Sequence, residues 1–390
     1  MAALRAPLGV EMAYKTLFSI VIAVRFGTVF ILAGVREEGA VSIRRTVRQM
    51  RQVSLVGVRA LRALAKSSDA ELRRRAVREV GRSKFSMATG ELRGALTDPS
   101  PKVRREAAIA LSRMGTDEAA GALLTHVIEH PELLDEDLVD ALGRLRTAST
   151  ERILLGLLQD PRSILRRSAA RTLARLGSTD AIPHLVSAAT DPDDIEMRRA
   201  SLQALRHLEA REASAVVRAS LNDPHPSVRI AAAECVSELV LDSCAESVRS
   251  AMRGQTDEAL PELAYALGSV GSADDIPLIL ESARKCTSDT SRRRCLLGAA
   301  RILGVESLTY RLMIVKGFER DAAMLDVLKS VNGGRRPHLR SSLEAFTSGD
   351  EALGARILAE AVEDPTIAAL ASINVDEAFL VAWLSCVRKA

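Results

Sequence analysis

The stretch Asp160-Pro161-Arg162-Ser163-Ile164-Leu165-Arg166-Arg167-Ser168-Ala169-Ala170-Arg171-Thr172-Leu173-Ala174-Arg175-Leu176-Gly177 decides the fold. An Asp-Pro turn is followed by Arg166, then by Ala169, Ala170 and Leu173 at helical spacing, then by glycine. The arrangement returns at Asp98-Pro99 with Val103, Arg104, Ala107, Ala108, Leu111 and Gly115. Further copies stand at Asp191-Pro192 with Arg198, Ala200 and Leu205, and at Asp223-Pro224 with Val228, Arg229, Ala232 and Val236.

The turns at 160, 191 and 223 are 31 and 32 residues apart, and a weaker copy at His130-Pro131 fills the double interval between 98 and 160. Degenerate units flank these: Asp69 with Arg75, Ala76, Val80 and Gly81; Thr256 through Ala266 and Gly271; and Asp289 with Arg293, Ala300 and Gly304. Each unit reads as two antiparallel helices. The first carries Leu123, Leu124 and Val127, or Ile182, Leu185 and Val186; the second carries the Val-Arg-x-x-Ala-Ala stripe. One such pair cannot bury its own apolar face, so neighbours must stack, and fixed-period repetition is the sign of that solution.

In this reading each Asp accepts hydrogen bonds from the first free amides of the second helix, and each Pro stops the first helix. The recurring Arg reaches the Asp of a neighbouring unit. The expected ladder comprises Asp98, Arg104, Asp160, Arg166, Asp191, Arg198, Asp223 and Arg229.

Composition agrees with close helix packing: 47% of residues are hydrophobic, yet aromatics make up only 3%, so Ala and Leu must fill the interior. With 54 basic and 50 acidic residues, the formal charge of +4 gives no argument for a polyanionic partner. The five cysteines, Cys235, Cys244, Cys286, Cys295 and Cys386, form no CxxC pair, which argues against a disulfide framework or a zinc site.

Residues 16–36 contain a twenty-residue run from Thr16 to Val35 with Arg25 as its single charge, long enough to cross a bilayer as a helix. Only Arg5 and Lys15 precede it, while arginines are abundant after it, so the positive-inside rule places the rest of the chain in the cytoplasm. Residues 37–66 read as a basic amphipathic helix whose Arg44, Arg45, Arg48 and Arg51 suit anionic headgroups. The alternative is a cap on the stack. The expected organisation is a tail at 1–15, a transmembrane helix at 16–36, the basic helix at 37–66, a repeat region at 67–304, and degenerate helical repeats with a terminal cap at 305–390.

The units resemble the short HEAT-like repeats of the phycobilisome lyase family, over about Asp69 to Gly304. The resemblance implies an all-α, right-handed α-solenoid of helical hairpins, related in architecture to armadillo-like stacks, and leaves function open. A second resemblance rests on Arg25 within its apolar run, Glu37-Glu38-Gly39, Leu61-Arg62-Ala63-Leu64 and Ser68-Asp69. That order is similar to the end of bacterial major-facilitator-type transporters with a HEAT tail. It implies a shortened relative or a truncated gene product, without transport.

Catalytic signals are weak. His126-Val127-Ile128-Glu129-His130 fits the HxxEH string of a zinc-peptidase group, but Pro131 follows at once and His130-Pro131 occupies the turn register. None of the six histidines is followed by Glu, unlike the repeated His-Glu pairs of HEAT-repeat di-iron hydroxylases. Lesion recognition in DNA or a bilin pocket would need aromatic walls, and aromatics are scarce here, with Tyr265 and Tyr310 near the end of the repeats and Trp383 beyond them.

The expectation is therefore a non-enzymatic protein–protein interaction scaffold without cofactor or metal, membrane-tethered and cytoplasm-facing, binding a protein partner in the groove of the second helices. A soluble HEAT-repeat adaptor and a lyase-like tetrapyrrole enzyme are the alternatives.

Overall fold

A computed structural model of the chain describes residues 60, 64, 67–82, 88–253, 258–315, 317–330, 337–373 and 376–389. The expected transmembrane helix at 16–36, the basic helix and its Arg44, Arg45, Arg48 and Arg51 lie outside the described residues. Among the described residues, no helix is long and apolar enough to cross a membrane. All regular structure among them is helical.

The chain divides after His126 into two compact units. In the first, α1 (Ala70–Arg82) and α2 (Thr89–Ala95) both pack against α3 (Pro101–Met114), and α4 (Asp117–Glu129) follows, running through the division. Val77, Leu92, Val103, Ala107 and Leu111 are fully buried here.

The second unit repeats the hairpin. After α5 (Glu136–Leu142) come the first helices α6 (Ala148–Leu157), α8 (Ile182–Ala188), α10 (Ser214–Ser220), α12 (Ala245–Arg253) and α14 (Ile276–Lys285). The second helices are α7 (Ser163–Leu176), α9 (Ile195–His207), α11 (Pro226–Leu239), α13 (Leu260–Val270) and α15 (Asp289–Ile302). Each first helix packs on the second helix that follows it, and α5, α7, α9, α11, α13 and α15 pack side by side in sequence. Short 3-10 turns at Thr179–Ala181, Arg211–Ala213, Asp242–Cys244 and Ala273–Asp275 lead into α8, α10, α12 and α14.

Small residues let these helices approach. A Cβ on Gly268 of α13 would lie 2.5 Å from the carbonyl oxygen of Gly298 on α15, and one on Gly298 would lie 2.4 Å from the Ala264 oxygen. The contact is backbone on backbone, so only glycine fits at either position.

The Asp-Pro turns work differently from the expectation. Asp98, Asp160, Asp191 and Asp223 accept from the amides of Ser100, Arg162, Asp193 and His225, two residues on, at 2.8 to 3.0 Å. These are Asx turns that precede the helix, and the N-cap positions fall to Ser100, Arg162, Asp194 and His225. The first helices α2, α8 and α10 end at Ala95, Ala188 and Ser220, before the Asp-Pro pair, so proline follows the helix end and does not cut it.

After α15 the hairpin pattern gives way to α16 (Glu306–Ile314), α17 (Phe318–Ser330), α18 (Pro337–Thr347), α19 (Glu351–Ala361), α20 (Pro365–Ala371) and α21 (Asp376–Arg388). α21 returns to pack on α15 and α16 as well as on α18, α19 and α20. Its Trp383 is fully buried and its indole N–H donates to the Leu339 carbonyl at 3.1 Å. Phe379 stacks on Phe346 with ring centroids 4.3 Å apart.

Candidate functional site

Arg73, Arg104, Arg166, Arg198, Arg229 and Arg292 each hold the fourth position of their helix, in α1, α3, α7, α9, α11 and α15. Each guanidinium reaches back to backbone carbonyls of its own preceding turn. Arg104 donates to the Asp98 and Pro99 oxygens, Arg166 to those of Asp160 and Pro161, Arg198 to those of Asp191 and Pro192, and Arg229 to those of Asp223 and Pro224. Arg73 does the same with Ser67 and Ser68, and Arg292 with Cys286. The degenerate units thus use Arg73 and Arg292 in this role, one or two residues away from the Arg75 and Arg293 expected from sequence.

Arg73, Arg166 and Arg198 also reach the following repeat. Arg73 pairs in two-point fashion with Asp98 at 2.8 and 2.9 Å, and Arg198 with Asp223 at 2.9 and 3.1 Å. Arg166 meets Asp194 at 2.5 Å and not Asp191, because Asp194 is the N-cap that faces it. The Asp160 carboxylate is taken by Arg162 of its own turn. For Arg104 and Arg229 the bonds above run to their own turns.

The electrostatics follow from this geometry. Burial works against the charged form of Asp98, but the Arg73 guanidinium and the Ser100 amide overcome it and hold the carboxyl below its ordinary range. Asp194 is lowered in the same way, burial being outweighed by the Met197 amide and Arg166. In the first helices, Arg249 of α12 pairs with Asp275 at 2.6 and 3.0 Å and pulls that carboxyl down.

The HxxEH string, already discounted in the sequence, is split by the end of α4. His126 is buried within α4, while His130 lies beyond the helix end as the N-cap of a 3-10 turn, with Glu132 at 3.2 Å from its Nδ1. Among the described residues, no group of three or more His, Cys, Asp or Glu side chains could hold a metal ion. Cys286 and Cys295 lie with sulfurs 3.7 Å apart, a proximity their separation in sequence did not suggest. Burial pushes the Cys235 thiol up to about 12, as befits a core side chain.

The feature that sequence reasoning missed is a groove of about 590 Å³ beside α15 and α16. Its lining includes Ile230 of α11, Pro261 of α13, Leu297 of α15 and Tyr310, Met313 and Ile314 of α16. Tyr310 is 55% exposed, Ile314 63% and, four residues on, Phe318 86%. The signal was available: Tyr310 and Ile314 stand one turn apart on α16 and are exposed, whereas Leu312 and Met313 between them are buried. Glu258, Glu262, Arg293 and Arg294 complete the lining. Arg294 is held by Glu262 at 2.8 Å and lies 3.5 Å over the Tyr265 ring, while Arg293 is held by Glu377 at 2.7 Å.

A family model of HEAT repeats matches residues 58–136 and 131–206, and a HEAT repeat model matches residues 214–243. No curated protein matches the chain. Among solved structures, an engineered protein is 19% identical, covering 86% of this chain and 98% of its own, with a TM-score of 0.41. The Escherichia coli protein YibA is 14% identical, covering 69% and 99%, with a TM-score of 0.45. The CpcE–CpcF complex of phycocyanin lyase from Nostoc is 20% identical, covering 70% and 97%, with a TM-score of 0.25. Likenesses of this size carry no functional argument. The family models match nothing before residue 58, so the resemblance of the first residues to a transporter gains no support. The chain carries HEAT repeats over residues 58–206 and 214–243, and its described fold is a HEAT-repeat solenoid.

Proposed function

We propose that this chain is a non-enzymatic protein–protein interaction scaffold, held at the cytoplasmic face of a membrane by residues 16–36. One observation carries the binding half of this reading: a groove of about 590 Å³ is lined by the exposed apolar side chains of Tyr310 and Ile314. Exposed apolar clusters of this kind mark contact surfaces, because leaving them in water is unfavourable. The apolar run with its single Arg25 and the arginines at 44, 45, 48 and 51 support the tether.

A photo-crosslinking amino acid placed at Ile314 of the full chain in living cells tests both halves. The expected result is a discrete crosslinked polypeptide that is missing when the probe sits at exposed Ile128, and that stays in the membrane pellet after a carbonate wash. A chain starting at Ser67 should form the adduct yet leave the pellet. Identical adducts from 314 and 128 would sink the scaffold, and a full chain released by carbonate would sink the tether.

A further inference from the structure

We propose that Cys286 and Cys295 form a redox modification site: a hydroperoxide converts their two thiols into a disulfide that ties the end of α14 to α15. The proposal stands apart from the scaffold reading.

The repeat register sets this pair off from the other units. Cys286 lies six residues before Arg292, whose guanidinium donates to the Cys286 carbonyl at 3.4 Å. Asp98, Asp160 and Asp223 hold that same place relative to Arg104, Arg166 and Arg229. Cys295 lies three residues after Arg292, where those three units carry the fully buried Ala107, Ala169 and Ala232. The unit thus has cysteine in place of both the turn Asp and the core Ala, and Ser288 caps α15 in its stead. Packing accounts for a small buried side chain such as Cys295, but not for a partly exposed thiol at a turn position that elsewhere holds a carboxylate.

The two sulfurs are 3.7 Å apart, and a disulfide at about 2.05 Å needs about 1.7 Å of approach. Cys286 can supply it, because it follows the last residue of α14 in extended backbone, at φ −69° and ψ 129°, with its thiol donating to the Ser282 carbonyl. Access divides the roles. Cys286 can meet the oxidant, whereas Cys295 is fully buried and has the Cys286 sulfur beside it. Burial and that neighbouring sulfur keep the Cys295 thiol protonated, so it does not compete for the oxidant. Cys235 and Cys244 are fully buried and donate to the carbonyls of Leu202 and Ser214.

In the first step the Cys286 sulfur attacks hydrogen peroxide. An S–O bond forms, the O–O bond breaks, and the departing hydroxide takes the thiol proton as water. The Cys295 sulfur then attacks the resulting sulfenic sulfur; the S–S bond forms, the S–O bond breaks, and the departing hydroxide leaves as water with the Cys295 proton. The thiols lose two electrons and the peroxide gains them. The linked turn runs directly into Thr290 and Ser291, which line the groove, so the bond braces that part of the groove wall.

The test treats the full chain with a small excess of hydrogen peroxide, removes the excess with catalase, denatures the chain in N-ethylmaleimide and reads it by mass spectrometry. Of the five thiols, the two of the pair should be lost and the other three labelled, and trypsin should release the peptide from Cys286 to Arg292 joined to that from Cys295 to Arg301. Dithiothreitol should restore all five. Cys295→Ala, which brings back the residue of the corresponding units, should instead leave a sulfenic acid on Cys286 that dimedone traps. Cys286→Asp, which brings back the turn residue, should keep its remaining thiols. Hydrogen exchange across 286–291 should be slower in the oxidised parent than in the reduced one. Five labelled thiols after peroxide, a disulfide between any other pair, no dimedone adduct on Cys286 in the Cys295→Ala chain, thiol loss in the Cys286→Asp chain, or exchange across 286–291 that oxidation does not change would overturn the proposal.

Discussion

Replacing Arg198 with alanine isolates the pairing between repeats. The side chain is 7% exposed and its partner Asp223 10%, so solvent screens the pair little. This one guanidinium donates four hydrogen bonds: two to the Asp223 carboxylate and two to the carbonyls of Asp191 and Pro192. Arg198→Ala leaves the carboxylate with the His225 amide alone and two turn carbonyls without their donor. Removing one partner of a buried pair costs about 3 to 5 kcal/mol, and the retained His225 bond argues for the lower end, about 3 kcal/mol. Asp223→Ala on the Arg198→Ala background should cost less than it does alone, giving a coupling of about 2 kcal/mol. The control is Arg82→Ala, whose partner Glu79 and own side chain are 44% and 67% exposed, with an expected cost below about 0.5 kcal/mol. Urea unfolding followed by far-UV circular dichroism reads the parent and the four variants. An Arg198→Ala cost no larger than that of Arg82→Ala would refute the view that this row of pairs holds neighbouring repeats together.

Other outcomes follow from the same geometry. Gly268→Ala should destabilise by about 2 to 3 kcal/mol in urea unfolding, since its new methyl would meet the Gly298 backbone at 2.5 Å; an unchanged midpoint would contradict the close approach. Val240, at φ 50°, occupies the left-handed position after α11 that Gly115 and Gly177 fill after α3 and α7, so Val240→Gly should stabilise by about 1 kcal/mol, and a lower melting temperature would contradict this. The carboxyls of Asp98, Asp194 and Asp275 are lowered in the folded chain. Their stabilisation is therefore present above the unfolded carboxyl range, about pH 4, and is lost as pH falls below it through the folded values. Asp275→Asn should flatten the acid limb of the stability profile, and a limb of unchanged steepness would tell against the Arg249 pairing.

Much of the fold was legible because one physical constraint repeats. A hairpin with a single apolar stripe must stack, so Ala169, Ala170 and Leu173, and their counterparts Ala107, Ala108 and Leu111, announced both the helix and its buried face. The turn was legible in composition but not in mechanism. Sequence places Asp before a helix, whereas the choice between an Asx turn and an N-cap depends on backbone angles that Asp160 and Asp194 resolve differently. Pairing partners were harder still. Arg166 finds Asp194 because the turn after Asp191 is one residue longer than that after Asp160, a difference that period counting passes over. Beyond Gly304 the repeat fades, since α21 supplies burial from one end of the chain to helices far back in sequence, as Trp383 does to Leu339. The groove stayed hidden for the same reason: whether Tyr310 and Ile314 are core or surface depends on what packs against α16, which no local pattern encodes.

The central claim is that α5 to α15 form a stack in which each hairpin is stabilised by its immediate neighbours. Leu205→Ala, a cavity at a fully buried position of α9, tests it when native-state hydrogen exchange is read helix by helix. Loss of protection should centre on α9, extend to α7 and α11, and leave α15 as in the parent chain. Equal loss across α5 to α15 would show a single cooperative core and contradict the account.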